Sequence, residues 1–188
     1  MNDSSKNKFL IFRILGNDLK GLHGDNQTIS NLKFTVEHEE QFKNTTKMFV
    51  LNRIVSKKKK AKYIKLLDKY NINYIDIPFD IKKFNELPRI NTNLKKFNKL
   101  SRFDQTSYTL KHNLYLVNNN GCRNFCISYG KEKNYKWTFV LDSNSFFTKD
   151  AFNIIIKNKK IKTWGYLIIP QKRLNDHNLH NEILLTNE

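Results

Sequence analysis

Asp142, Ser143 and Asn144 follow directly on a short apolar run, Trp137 to Leu141, so a carboxylate, a hydroxyl and an amide arrive together at the end of a strand pattern. Mg²⁺ and Mn²⁺ take hard oxygen ligands, usually one or two carboxylates with phosphate oxygens and water completing the set. Asp142 would supply the charge and Asn144 a neutral oxygen. Upstream, Gly121, Arg123 and Asn124 open a stretch with a helical pattern. A guanidinium forks onto two phosphate oxygens, an amide reads a ribose hydroxyl or a base edge, and a glycine lets the backbone approach a ligand. A cation on one element and an acidic, oxygen-rich loop on the next suit a metal-bound diphosphate. A plainer reading stays open for both: Asp142 and Asn144 cap the helix that begins near Thr148, and Arg123 faces solvent.

Two further loops carry polar groups. Arg13 to Asn26 holds Asn17, Asp18, His23 and Asp25 behind the first apolar run, where a nucleotide or an acceptor would meet them. Its glycines, Gly16, Gly21 and Gly24, match neither a dinucleotide fingerprint nor a Walker loop, which argues against hydride transfer and P-loop ATP hydrolysis. Asn52 and Arg53 interrupt a second apolar run and would contact a base or an acceptor, unless they mark a twist or an edge. Lys57 to Lys60 reads as a solvated helix start. Cys122 and Cys126 lie four apart, on one helical face, and with no third thiolate or suitably spaced histidine they read as small buried residues.

The elements that must position these groups follow from periodicity. Lys8 to Leu15, Met48 to Val55 and Tyr74 to Phe79 read as strands, with helices over Thr28 to Phe42 and Lys57 to Tyr70 between them. Strand and helix alternating in this way predicts a parallel sheet with crossover helices. The fold class expected is α/β: a single Rossmann-like domain over residues 1–188, with a mostly parallel sheet flanked by helices. Residues 80 to 107 read as a basic, Asn-rich insertion with one short helix. A helix is expected over Tyr108 to Val117, another over Lys149 to Lys159, and a last strand over Trp164 to Pro170.

Composition bounds the rest. The 188 residues carry 34 Lys and Arg against 17 Asp and Glu, a formal charge of +17, which favours anionic partners. Over-use of Lys, Asn, Ile and Phe also fits a drift towards AT-rich codons, so part of that charge reads as solvated surface. Hydrophobic residues at 39% and aromatics at 13% exclude a disordered chain. No run approaches the ~18 apolar residues of a membrane span, and the first apolar run, broken by Arg13, reads as a strand and not a secretion signal. A reducing, cytoplasmic setting is expected.

The order Gly121, Arg123-Asn124, apolar strand, Asp142-Ser143-Asn144 resembles the donor-binding half of GT-A-fold glycosyltransferases, most closely the family 2 group. The segments RILGND, GDNQT and LNRI are similar to bacterial glycosyltransferase-like proteins of the same fold. The resemblance implies transfer of a sugar from a nucleotide-diphosphate sugar to a glycan, lipid-linked or protein acceptor, with Mn²⁺ or Mg²⁺ held at Asp142 and Asn144. Donor contacts would come from Arg13, Asn17, Asp18, Asn52, Arg53, Gly121, Arg123 and Asn124. Peripheral contact with an anionic membrane is compatible with it, and nucleic acid is not the partner it implies. The chain departs from the family pattern at Asn144, where the second acid would stand, and at Cys122, where alanine precedes Arg-Asn. The acceptor-deprotonating carboxylate would fall to Asp176 or Glu182. The alternatives are a basic nucleic-acid-binding module, a nucleotidyltransferase, and a donor-binding domain without its catalytic base.

Overall fold

A computed structural model describes residues 9–19, 23–87, 99–158 and 166. Four strands, β1 (Phe9–Leu15), β2 (Thr45–Asn52), β3 (Asn73–Ile77) and β4 (Trp137–Asp142), form a parallel sheet in the order β3-β2-β1-β4. All four run the same way, so Leu15, Asn52, Ile77 and Asp142 end on one edge of the sheet. The chain moves outward from β1 through β2 to β3, then returns to add β4 on the other side of β1. That reversal opens a crevice beyond the carboxyl ends of β1 and β4, where open α/β sheets bind ligands.

Helices cover both faces. β1 is buried over nearly its whole length, which is why its sequence is a continuous apolar run and not an alternating one. Leu15, Phe49 and Leu51 pack with Leu32 of α1 (Gln27–His38) and with Tyr63 and Leu67 of α2 (Lys57–Lys69). The opposite face carries Leu10, Phe12, Ile14, Met48 and Val50, which pack on Cys122 and Cys126 of α5 (Asn119–Glu132). A third cluster joins Ile11, Phe139 and Leu141 to Phe152 of α6 (Lys149–Lys157), with Phe42 stacked on Phe152 at 4.3 Å. The short α3 (Ile81–Glu86) packs Phe84 onto His112 and Tyr115 of α4 (Arg102–Val117). Asn26, Asn44, Asn71, Asn118 and Asn134 all adopt left-handed backbone, as does Arg53.

The α/β class and parallel sheet follow the sequence reading. Several boundaries move. The first helix ends at His38 and not Phe42, because Glu39 leaves the helix with extended geometry (φ −78°, ψ 114°) to reach buried cations. The helix expected from Tyr108 begins at Arg102, and the strand expected from Met48 already starts at Thr45. The strand read over Trp164 to Pro170 lies outside the described residues except for Tyr166, as do Asp176 and Glu182. No helix among the described residues is long and apolar enough to cross a membrane.

Candidate functional site

A cleft of about 210 Å³ opens at the crevice between the ends of β1 and β4. Ile14 and Asp142, paired across the two strands, form its floor. Asp142, Ser143 and Asn144 line one side, Asn17 and the first turn of α1 another, and Asn119 at the start of α5 a third. Asp142 is the one carboxylate among these residues, and most of the others present amides or hydroxyls. Such a lining offers donors and acceptors for phosphate and sugar oxygens while carrying little charge of its own.

Asp142 meets Arg123 directly. Nη2 of Arg123 donates to both carboxylate oxygens, at 2.9 and 3.1 Å. Arg123 reaches there because α5 packs its inner face, Cys122 and Cys126, against the sheet, which leaves position 123 beside the end of β4; it touches Asp142 but is not itself among the cleft-lining residues. The pair is 42% and 51% exposed, so water screens it and it adds little stability. Asn124, expected beside Arg123 at the donor, is exposed on α5 and is not among the cleft-lining residues.

The side chains expected to touch a donor from β1 and β2 are mostly engaged within the protein. Arg13 is the plainest correction. Its guanidinium is 1% exposed, paired with Glu39 and donating from Nε to the Ser145 carbonyl at 3.0 Å, so it braces the loop after Asp142 and does not reach the cleft. The Asn52 side chain lines the cleft but donates to the Val117 carbonyl at 2.7 Å and accepts from the Asn118 amide at 2.9 Å. Arg53 lies over the Tyr115 ring at 4.0 Å and donates to the Tyr115 carbonyl. Together Asn52 and Arg53 clamp the α4–α5 junction to the sheet. Asn17 bridges the β1 and β2 loops, donating to the Arg53 carbonyl and accepting from the Val55 amide.

Gly121 also has a different role from the one its type suggested. A β-carbon there would stand 2.3 Å from Oδ1 of Asn118, so the space belongs to the Asn118 side chain, whose amide donates to Asn52, and not to a ligand. His23 lines the cleft with Nδ1 accepting from the Leu19 amide at 3.1 Å, which puts the proton of the neutral ring on Nε2. Cys122 and Cys126 are both buried in the core; Cys126, with Arg123 and Arg53 nearby, pulls the Cys122 thiol down, while Cys122 and burial push the Cys126 thiol up. Sequence reasoning missed Gln27, Thr28, Asn31 and Asn119, whose signal was their position at the first turns of two helices that begin beside strand ends.

Asp18 holds the first turn of α1. Its Oδ1 accepts from the Thr28 amide at 3.0 Å and the Thr28 hydroxyl at 2.6 Å, while Oδ2 accepts from Lys59 at 2.8 Å. Burial pushes this carboxyl up, but the Lys59 and Thr28 donors outweigh it and the net shift is downward from 3.8. A depressed carboxylate contributes stability that is complete above its unfolded value and lost as pH falls through its folded one. Asp18→Asn is therefore expected to flatten the decline in urea midpoint between about pH 5 and pH 2. An acid limb as steep as that of the unaltered chain would remove Asp18 from this account.

Among the described residues no three of His, Cys, Asp and Glu converge to hold a metal. Asp142 and Asn144 do share the cleft, and Mg²⁺ in phosphate-transfer sites is commonly held by one or two carboxylates plus substrate phosphates. The pair thus fits a cation that arrives with a diphosphate, and does not fit a resident metal. Compared with protein-family models, with curated proteins and with solved structures, the chain matches none.

Proposed function

We propose that the cleft binds a nucleotide-diphosphate sugar together with Mn²⁺ or Mg²⁺, and that the chain transfers the sugar to an acceptor hydroxyl. The observation that carries this reading is the meeting of Asp142 and Asn144 with the starts of α1 and α5 in one cleft at the switch point of a parallel sheet. Its volume lies below the ~300–1,000 Å³ of drug-sized pockets. That suits the diphosphate and its nearest sugar hydroxyls, with the base and the acceptor lying over the open mouth.

In this reading Asp142 and Asn144 hold the cation, which when bound neutralises charge on the departing diphosphate. Arg123, held beside the cleft by Asp142, adds a second cation. His23, with its proton on Nε2, donates to a phosphate or sugar oxygen. Asn17, Asn52 and Arg53 set the shape of the cleft by fixing its loops.

Thermal unfolding with UDP or GDP, with and without Mn²⁺, tests the proposal. Saturating nucleotide with Mn²⁺ is expected to raise the midpoint by roughly 5–10 °C, nucleotide alone by far less, and Asp142→Ala to abolish the shift. Stabilisation by single-stranded RNA alone, unchanged in Asp142→Ala, would assign the basic surface to nucleic acid instead.

A further inference from the structure

The one carboxylate among the cleft-lining residues already has a counter-ion. Both oxygens of Asp142 accept from one Arg123 nitrogen, so the atoms that would face a metal face a guanidinium. Nε of Arg123 is buried and has no partner among the described residues, so this end of the side chain is held by Asp142 and packing alone. Among the described residues no further group of metal-ligating side chains stands by to compensate if a bare ion displaces the arginine.

We infer that Arg123 is a built-in counter-cation, and that Asp142 exchanges it for the cation only when a diphosphate arrives to take up the released guanidinium. The inference rests on the nucleotide-sugar reading and concerns the order of loading at that site. A free divalent ion must break the Arg123–Asp142 pair and then sit beside an unpaired positive charge. A free diphosphate must compete with Asp142 for Arg123. When both come together, Asp142 pairs with the cation, Arg123 pairs with phosphate, and no charge is stranded. Because the resting pair is about half exposed, opening it costs little, so the exchange is a matter of partners and not of strain. The consequence is positive coupling between metal and nucleotide, equal in both directions.

Electron paramagnetic resonance of Mn²⁺, which reports the free hydrated ion, reads this without any turnover. The unaltered chain is expected to take up Mn²⁺ poorly by itself and much better with UDP or GDP. Arg123→Gln should raise the affinity for Mn²⁺ alone about tenfold, by removing the competing charge, and should reduce the gain given by nucleotide. Arg123→Lys keeps the charge and should stay close to the unaltered chain for Mn²⁺ alone. Asp142→Asn should lose Mn²⁺ uptake under every condition, with circular dichroism confirming that each variant is folded. Equal affinity of the unaltered chain and Arg123→Gln for Mn²⁺ alone, with nucleotide still binding, would overturn the exchange and leave the nucleotide-sugar reading standing. Failure of UDP and GDP to bind any of these chains, with or without Mn²⁺, would overturn both.

Discussion

Glu39→Ala is expected to destabilise the fold by about 3–5 kcal/mol, the cost of leaving buried cations without their counter-ion. Glu39 is 2% exposed and lies between Arg13 and Lys47, themselves 1% and 8% exposed. One carboxylate oxygen accepts from Arg13 and from the Phe147 amide at 3.0 Å; the other meets Lys47 Nζ at 3.0 Å. Burial lowers the pKa of both cations, and Glu39 opposes that shift in each. Removing the acid leaves two positive charges in a space that excludes water. Denaturant unfolding measures the loss, and a change under about 1 kcal/mol would mean that water already solvates the cluster. Replacing Arg13, Glu39 and Lys47 together with apolar residues of similar volume should restore much of the stability, since apolar packing commonly matches a buried ion pair. The site should feel the single change as well, because Ser145 and Phe147 anchor the loop that follows Asp142.

Gly130→Ala is expected to cost about 1–3 kcal/mol through overpacking, more than the about 0.5–1 kcal/mol that alanine gains in a helix interior. A β-carbon at 130 would stand 1.9 Å from the Thr138 hydroxyl and 3.1 Å from its Cβ, so rotation of Thr138 alone does not clear the contact. Helix α5 would have to lift from β4, and it carries Arg123 away from Asp142 as it moves. A double-mutant cycle with Thr138→Ala isolates the contact. In the Thr138→Ala background, where only the 3.1 Å approach to Cβ remains, the same glycine change should cost markedly less, and an undiminished loss there would place its cause elsewhere.

The alternation from β1 to β3 was legible because buried parallel strands are continuous apolar runs and α2 carries apolar residues at helical spacing, of which Tyr63 and Leu67 are buried while Ala61 is exposed. Asp142 was legible for the same reason, since an apolar run that ends in a carboxylate states where the strand stops. Arg13 was misread because a charge inside KFLIFRIL looks like a ligand contact until its partner is known, and Glu39 lies in a segment whose helical periodicity continues past the true helix end. Tertiary pairing overrode local pattern there. Asn52 and Arg53 were found as unusual, but their partners are main-chain carbonyls of Val117 and Tyr115, and backbone acceptors leave no trace in residue types. The early start of α4 was hidden because the residues from Arg102 to Ser107 are largely polar.

The five asparagines in left-handed backbone bear on how this sequence tolerates its own composition. The chain has only six glycines, yet its reversals at Asn26, Asn44, Asn71, Asn118 and Asn134 use a conformation that glycine normally supplies. Asparagine visits that region more readily than other side-chain-bearing residues and is less free than glycine when the chain is unfolded. A codon bias that trades one for the other therefore preserves these five corners among the described residues, and it lowers the disorder surrendered on folding.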